Sequence, residues 1–261
     1  MIKHVLLFRR VFAVSLQRQL AHRANLAFDA MMTAVGLASG LLALIAVFSR
    51  VETLAGWTLG GMIVLLGTYQ FISGMIAAFV TPNLAFFQPK VTNGEIDEVL
   101  LKPVSSLFLV SLGTCYPWAL VQSLLGLATV AAGVSFVDVA LTATGLLAYV
   151  LLLLVGLLVG WASRVLLACA AFWAPGAEPS IIYDAFWELG RYPLSIYHSI
   201  VQRLLTFVVP VAFISTLPAQ ALVSGMGPTL FVGSLAASVI YVLLARVAWQ
   251  RALRRYTSAT S

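Results

Sequence analysis

The stretch VALTATGLLAYVLLLLVGLLVGWAS, residues Val139–Ser163, decides the fold, because it contains no Asp, Glu, Lys or Arg. A helix needs roughly 20 apolar residues to cross the hydrocarbon core of a bilayer, and a charge at its centre costs about 2.5 to 3.5 kcal/mol. This run meets both conditions. Outward from it, Ala30–Ser49, Thr53–Pro89, Pro103–Val137 and Leu204–Ala245 are equally free of those four residue types. Of the 261 residues 61% are hydrophobic and 9% charged, whereas a water-soluble chain needs roughly a quarter charged to cover its exterior. Lipid offers no water to satisfy backbone groups, so helices are the expected spanning elements. The composition predicts an all-α, polytopic membrane protein with about six transmembrane helices and excludes a soluble domain.

The net charge is +6, and its placement is informative: Lys3, Arg9, Arg10, Arg18 and Arg23 precede the first apolar run, while Arg246, Arg251, Arg254 and Arg255 follow the last. Lys and Arg collect on the cytoplasmic side, so both termini are expected there. These residues flank apolar runs rather than forming a stripe with interleaved aromatics, which points to membrane lipid headgroups and away from nucleic acid. Arg18 and Arg23 interrupt any apolar core in residues 1–24, so this segment does not read as a secretory signal. Val5, Phe8, Phe12, Leu16 and Leu20 recur there at helical spacing. Two readings stand open, a helix lying in the cytoplasmic interface or a basic flank that orients the first span. Cys115 and Cys169 lie in apolar stretches and read as small buried hydrophobes, with no disulfide or metal site expected.

Span one is expected over Leu26–Phe48, followed by an outer turn at Arg50–Glu52 with Trp57 in the aromatic belt, and span two to Val80. Span three is expected over Leu107–Val130 with a kink at Pro117, then an outer turn at Asp138, and span four from Val139. Arg164–Arg203 admits two parses, because Pro175, Glu178, Pro179, Asp184, Glu188, Arg191 and Pro193 interrupt it. In the first, span four ends near Trp173, Pro175–Pro179 turns in the cytoplasm, a short fifth span rises to Arg191, and Leu194–Leu217 forms broken helices near the outer surface. In the second, the polar stretch is all cytoplasmic and Arg203–Leu217 is the fifth span. Pro210 and Pro218 suit non-continuous helices buried in protein. Both parses end with a span over Thr229–Ala248, and no repeat or second domain is visible, so residues 1–261 read as one membrane domain.

Between spans two and three, residues 81–105 carry Lys90, Glu95, Asp97, Glu98 and Lys102 with Pro82, Pro89 and Pro103, and so are expected in water on the cytoplasmic side. Asn93-Gly94 reads as a turn, after which Glu95, Asp97 and Glu98 place negative charge in the first turn of a short helix that Pro103 ends. Ile96, Val99 and Leu100 share one face, and Glu95, Glu98 and Lys102 another, with Glu98 and Lys102 at the supportive i,i+4 spacing. The result is a peg of about two turns, roughly 12 Å long. From these residues alone the peg either floats on headgroups or meets a partner.

The run Gly94-Glu95-Ile96-Asp97-Glu98-Val99-Leu100-Leu101-Lys102-Pro103 resembles the cytoplasmic-loop motif of ABC-2-type ABC transporter permeases, in particular the daunorubicin-resistance-like and viologen-exporter-like group. Gly190-Arg191-Tyr192-Pro193-Leu194-Ser195-Ile196-Tyr197, then Leu204–Pro210 and Leu217-Pro218-Ala219, are similar to a second family stretch, and Arg254-Arg255-Tyr256-Thr257-Ser258-Ala259 to a third. Their order and spacing extend the resemblance over nearly the whole chain. It implies the permease subunit of an ATP-driven exporter, multi-pass in a bacterial plasma (inner) membrane. The implied partners are two copies of a separate ABC ATPase subunit and a second permease copy or sister permease. It further implies that Glu95, Ile96, Asp97, Glu98, Leu100 and Lys102 form a coupling helix seated in a groove of the ATPase, whose closure moves spans one to three. Residues 192–219 would then be outer re-entrant helices, which favours the first parse. The chain has no Gly-Lys-Ser or Gly-Lys-Thr, and its lysines are Lys3, Lys90 and Lys102, so ATP and magnesium are expected at the partner, with no cofactor or enzymatic site here.

Asp184, Glu188 and Arg191 fall at i, i+4 and i+7 in or beside the membrane, where ionisable groups are rare and mark pathways. They are candidates for the translocation pathway, and the competing reading is a purely structural pairing of Glu188 with Arg191. Gly36-xxx-Gly40, Gly56-xxx-Gly60 and Gly156-xxx-Gly160 have the small-residue spacing of close helix contacts. His4, His22 and His198 are isolated, and no nucleophile–base or ligand constellation is found, so no catalytic or metal residues are expected. A nucleotide-independent secondary transporter and a membrane-embedded enzyme are the alternatives.

Overall fold

The computed structural model describes residues 2–20, 23–85, 87–137, 142–174 and 179–256. The expected outer turn at Asp138, the turn at Pro175–Glu178 and the ending Thr257–Ala259 lie outside the described residues, as do His22 and the side chains of Lys3, His4 and Val5. Among the described residues no strand occurs. Helix α1 (Ile2–Leu20) is followed by α2 (Arg23–Phe48) and α3 (Leu59–Phe79). Three short helices follow, α4 (Thr81–Leu84), α5 (Phe87–Thr92) and α6 (Glu95–Leu100), with α7 (Ser106–Leu112) after them. Then come α8 (Leu120–Val134), α9 (Ala143–Cys169) and α10 (Pro179–Glu188). The chain ends with α11 (Ser199–Phe207), α12 (Leu217–Val223) and α13 (Pro228–Arg255). Thr58 and Thr142 start α3 and α9 as N-caps, their hydroxyls accepting from the Gly61 and Gly145 amides.

Among the described residues five helices are long and apolar enough to span: Leu26–Phe48, Leu59–Phe79, Pro117–Val134, Ala143–Phe172 and Pro228–Arg255. In α3, 72% of the apolar window is buried within the protein, against 11% in α2, so α3 is the centre and α2 a peripheral stave. The α3–α8 contact is made backbone to backbone. A Cβ on Gly67 would lie 2.7 Å from the Gly126 carbonyl oxygen, one on Gly74 2.6 Å from the Ser123 nitrogen, and one on Gly133 2.7 Å from the Val64 nitrogen. Gly60, Gly67 and Gly74 thus recur every seven residues along one face of α3. The close approach admits Ser123 Oγ donating to the Phe71 carbonyl at 2.9 Å and Gln122 Nε2 donating to Gln70 Oε1 at 2.8 Å.

The glycine pairs expected from four-residue spacing fare differently. Gly156 and Gly160 do pack, the first against the Phe213 carbonyl and the second against Trp187 and Ile76. Gly36 meets nothing within 4 Å, Gly40 only the end of Leu66, and Gly56 sits in the turn before α3 with φ of +85°. A four-residue rule reads one helix turn, whereas the real seam follows a seven-residue stripe.

Span three is also shorter than expected over Leu107–Val130. Helix α7 stops at Leu112, the chain breaks over Gly113–Tyr116, and the span begins at Pro117 with one 3-10 turn. Proline removes one amide there, and the break is held because the Tyr116 amide donates to the Ala78 carbonyl at 2.7 Å. Helix α7 therefore belongs with α4–α6 in a collar at one end of the bundle.

The route from α9 to α13 is fixed by side-chain contacts along the bundle. Phe172, after α9, packs on Trp249 and Tyr256 at the end of α13, while Ala148 and Phe231 share a cluster at their beginnings, so the two helices run the same way. The chain must return between them. Helix α10 starts beside Ala168 and Ala171 at the collar end, then meets Ser163 through Tyr183, Ser73 through Trp187 and Tyr69 through Gly190, and reaches Ala55 at the far end through Ser195. This passage, fifth in chain order and additional to the five long helices, is made by a helix far shorter than a full span.

Helices α11 and α12, with the π-turn Ala212–Thr216, are bent by 79° at their break. Helix α11 dips from the far end to the midpoint of α13, where Tyr241 donates to the Phe207 carbonyl at 2.8 Å, and α12 climbs back to Gly61 and Gly145. Residues 199–223 thus form one bent pair of helices whose two outer ends both lie at the end opposite the collar. Arg164, 8% exposed on α9, pins α10: its Nη2 lies 2.9 Å from Asp184 Oδ1, and its guanidinium stacks 5.0 Å from the Trp187 ring centroid and 5.3 Å from that of Tyr183.

Gly67→Leu should destabilise the protein by about 3 kcal/mol, since backbone cannot give way as a side chain can, whereas Gly36→Leu should be neutral. Thermal unfolding in one detergent, followed by loss of monodisperse protein, checks the contrast. Arg164→Leu should cost about 2 kcal/mol by stranding Asp184, and the Arg164→Leu/Asp184→Leu double variant should recover most of that loss.

Candidate functional site

The collar is built from short helices because its sequence is broken by prolines and turn residues, and its cohesion comes from one buried polar residue. Asn83 Nδ2 donates to the Phe79 carbonyl at 2.9 Å and to the Thr114 carbonyl at 2.7 Å, while its Oδ1 accepts from the Thr114 amide at 2.8 Å. This fastens the end of α3 to the break before span three. Lys90 Nζ reaches back to the Asn83 carbonyl at 3.3 Å. Tyr116 donates to Asp29 Oδ2 at 2.7 Å, tying in α2, and this bond, with burial second, pushes the Tyr116 phenol up to about 12. Gln19 of α1 accepts from the Trp118 amide at 3.0 Å, and Phe8 and Phe12 rest on Phe79. Helix α1 is thus a separate helix packed on the collar.

An aromatic cluster joins the collar to two further spans. Phe87 of α5 packs 5.9 Å from both Phe172 and Trp249, and Phe172 meets Trp249 at 6.0 Å and Tyr256 at 5.9 Å, both edge to face. Trp249 Nε1 donates to Ser106 Oγ at the start of α7. Burial and then the neighbouring Asp97 carboxylate push the Tyr256 phenol up, placing the end of α13 beside α6.

Helix α6 is the tip. Gly94 precedes it in the left-handed conformation with φ of 76°, which reverses the chain out of α5. Ile96 is 1% exposed and roots the helix in the core, whereas Leu101 is 86% exposed and Leu100 stands out beside it. Of the three residues expected to share a face, Ile96 is buried, Val99 half-buried and Leu100 exposed, so the face grades from root to surface. The helix ends at Leu100, ahead of Pro103, and is about 9 Å long rather than two full turns. Lys102 lies beyond its end, so the expected Glu98–Lys102 pairing does not form among the described residues. Glu95, Glu98 and Lys102 are all exposed, and Asp97 is half-buried.

The intramembrane candidates separate. Asp184 pairs with Arg164 of α9, while Glu188 pairs with Arg191 at 2.5 Å, and the Arg191 guanidinium lies 5.6 Å from the Tyr69 ring centroid. Helix α10 gives way to a 3-10 turn at Leu189, so Arg191 leaves the stripe that i, i+4, i+7 spacing assumes. Arg164, Asn83 and Asp29 escaped the sequence reading. Arg164 and Asp29 could have been found as lone charges on long apolar helices, which demand partners. The partners themselves, 20 and 87 residues away, carry no local signal. Among the described residues no group of three or more His, Cys, Asp or Glu could hold a metal ion.

Residues 34–260 match the family described as ABC-2 family transporter protein. Neither the curated proteins nor the solved structures give a match. A matched region that runs from the first spanning helix to the end of the last, on a multi-pass helical bundle, places this chain in the ABC-2 family, as the membrane-spanning permease component of an ABC transporter.

Proposed function

We propose that the protein is the permease of an exporter and receives mechanical work from a separate ATPase through α6. The observation that carries this reading is the contrast within that helix, between the buried Ile96 and the exposed Leu100 and Leu101. Exposed leucines beside Glu95, Glu98 and Lys102 make an apolar spot with a charged rim, the pattern of a docking surface, on an element too well rooted to move alone. ATP and its magnesium are handled by the partner, and the working unit contains two ATPase subunits with a second permease copy or a sister permease.

The collar end is assigned to the cytoplasm of a bacterial cell, with the protein multi-pass in the plasma membrane. Arg9, Arg10, Arg18, Lys90, Lys102, Arg251, Arg254 and Arg255 gather at that end, as the positive-inside rule requires. The push from ATPase closure would not stop at spans one to three. Phe87, Phe172, Trp249 and Tyr256 carry it to α9 and α13 as well, and Asn83 carries it to α3. Asp184, Glu188 and Arg191 keep their place as pathway candidates in a changed form, as members of two neutral pairs along the short fifth crossing. Each α10 carboxylate is matched by an arginine, Asp184 by Arg164 and Glu188 by Arg191.

Leu100→Ser with Leu101→Ser should lower cargo-stimulated ATP hydrolysis of the purified complex by about tenfold, roughly 1.4 kcal/mol of coupling, with the permease still monodisperse. Hydrolysis at the normal level in that variant would overturn the assignment of α6. Topology is checked by single cysteines: Ser195→Cys should react with an impermeant maleimide from outside, and Ser105→Cys only after the membrane is opened.

A further inference from the structure

A cavity of about 550 Å³ lies at the end of the bundle opposite the collar, within the roughly 300–1,000 Å³ range of small-ligand pockets. One wall is the turn before α3. There Ala55, with φ of 52°, is the one non-glycine residue at positive φ among the described residues, and the bridge between Leu54 and Trp57 holds the turn closed. An alanine in that conformation is strained, and such strain persists where the surroundings impose a shape. Ser195 Oγ donates to the Ala55 carbonyl at 3.2 Å and fixes the rim. The opposite wall is α12 and the π-turn before it, a rare backbone form often found at binding sites.

The chemistry of the lining is selective. Trp57 offers indole surface, while Ser195, Thr216, Gln220 and Ser224 offer hydroxyls and an amide. The Gln220 amide makes no hydrogen bond among the described residues, and the buried Thr216 hydroxyl has no partner among them either. The fold therefore leaves donors and acceptors unspent at this wall. None of the described lining residues is charged. An anion would find no arginine or lysine, a cation no carboxylate, and a purely apolar guest would bury the Gln220 amide unpaired. What fits is a neutral group with many hydroxyls and one apolar face.

We propose that this cavity binds an uncharged glycosyl group, stacked on Trp57 and hydrogen-bonded by the Gln220 amide. The inference is independent of how α6 meets its ATPase, because it concerns the other end of the molecule and needs no nucleotide.

The test uses the full chain in lipid nanodiscs, labelled with 5-fluorotryptophan, the Trp57 resonance being assigned by its loss in Trp57→Phe. The probes share one octyl tail: octyl β-glucoside, octyl trimethylammonium and octyl phosphate, all below micelle formation. The glucoside should shift the Trp57 fluorine signal saturably, and Gln220→Leu should raise the half-saturating concentration by about tenfold, the loss of one or two hydrogen bonds. The charged probes should move that signal only in proportion to their concentration, as membrane perturbation does. Equal behaviour of all three probes, saturation by a charged probe alone, or a glucoside response unchanged by Gln220→Leu would each overturn the proposal.

Discussion

The architecture depends on two backbones being allowed to touch. Lipid gives helices no hydrophobic reason to associate, so association needs close packing and polar contacts that distance would forbid. Along α3, glycines at seven-residue intervals remove every side chain that would hold α8 away, and Ser123 and Gln122 use the proximity to hydrogen-bond across. Once α8 is set, α3 is hemmed in on its other sides. Gly61 receives Trp57 and Val223, Ser73 accepts from Trp187, and Tyr69 takes both Gly190 and the Arg191 guanidinium. A single central helix thereby locates the turn before it, the short crossing and the bent α11–α12 pair relative to one another.

The collar applies the same logic at the interface, with different chemistry. Short helices cannot hold themselves in place, since each has too few internal hydrogen bonds to stand alone. Asn83 replaces missing helix by bonding two separate stretches of backbone, and the Phe87, Phe172, Trp249 and Tyr256 rings fill the space between collar and spans. Displacement of α6 must therefore displace α5, and with it the ends of α9 and α13.

How much of this could be read from residues alone follows from the range of each signal. The five long spans were legible because the absence of charge over about twenty residues is a one-dimensional property, and the matched family region reaches from within the first of them to past the last. The short fifth crossing was visible only as one of two parses, since its polar residues look aqueous until Arg164 is seen to neutralise Asp184. The glycine seam was missed for a different reason. Four-residue pairs were sought, yet whether a glycine faces a neighbour depends on helix rotation, which composition does not encode, and Gly36 and Gly40 matched the pattern without making the contact. The rotation of α6 was not legible, because six residues permit several, and only the burial of Ile96 selects the one that leaves Leu100 exposed.

The two matched pairs on the fifth crossing carry an electrical consequence. A membrane potential of about 100 mV does roughly 2.3 kcal/mol of work on each elementary charge driven across it. Arg164 with Asp184, and Glu188 with Arg191, sum to zero, so if each pair travels together the field neither helps nor hinders a tilt of this segment. Voltage therefore finds no net handle in these four side chains.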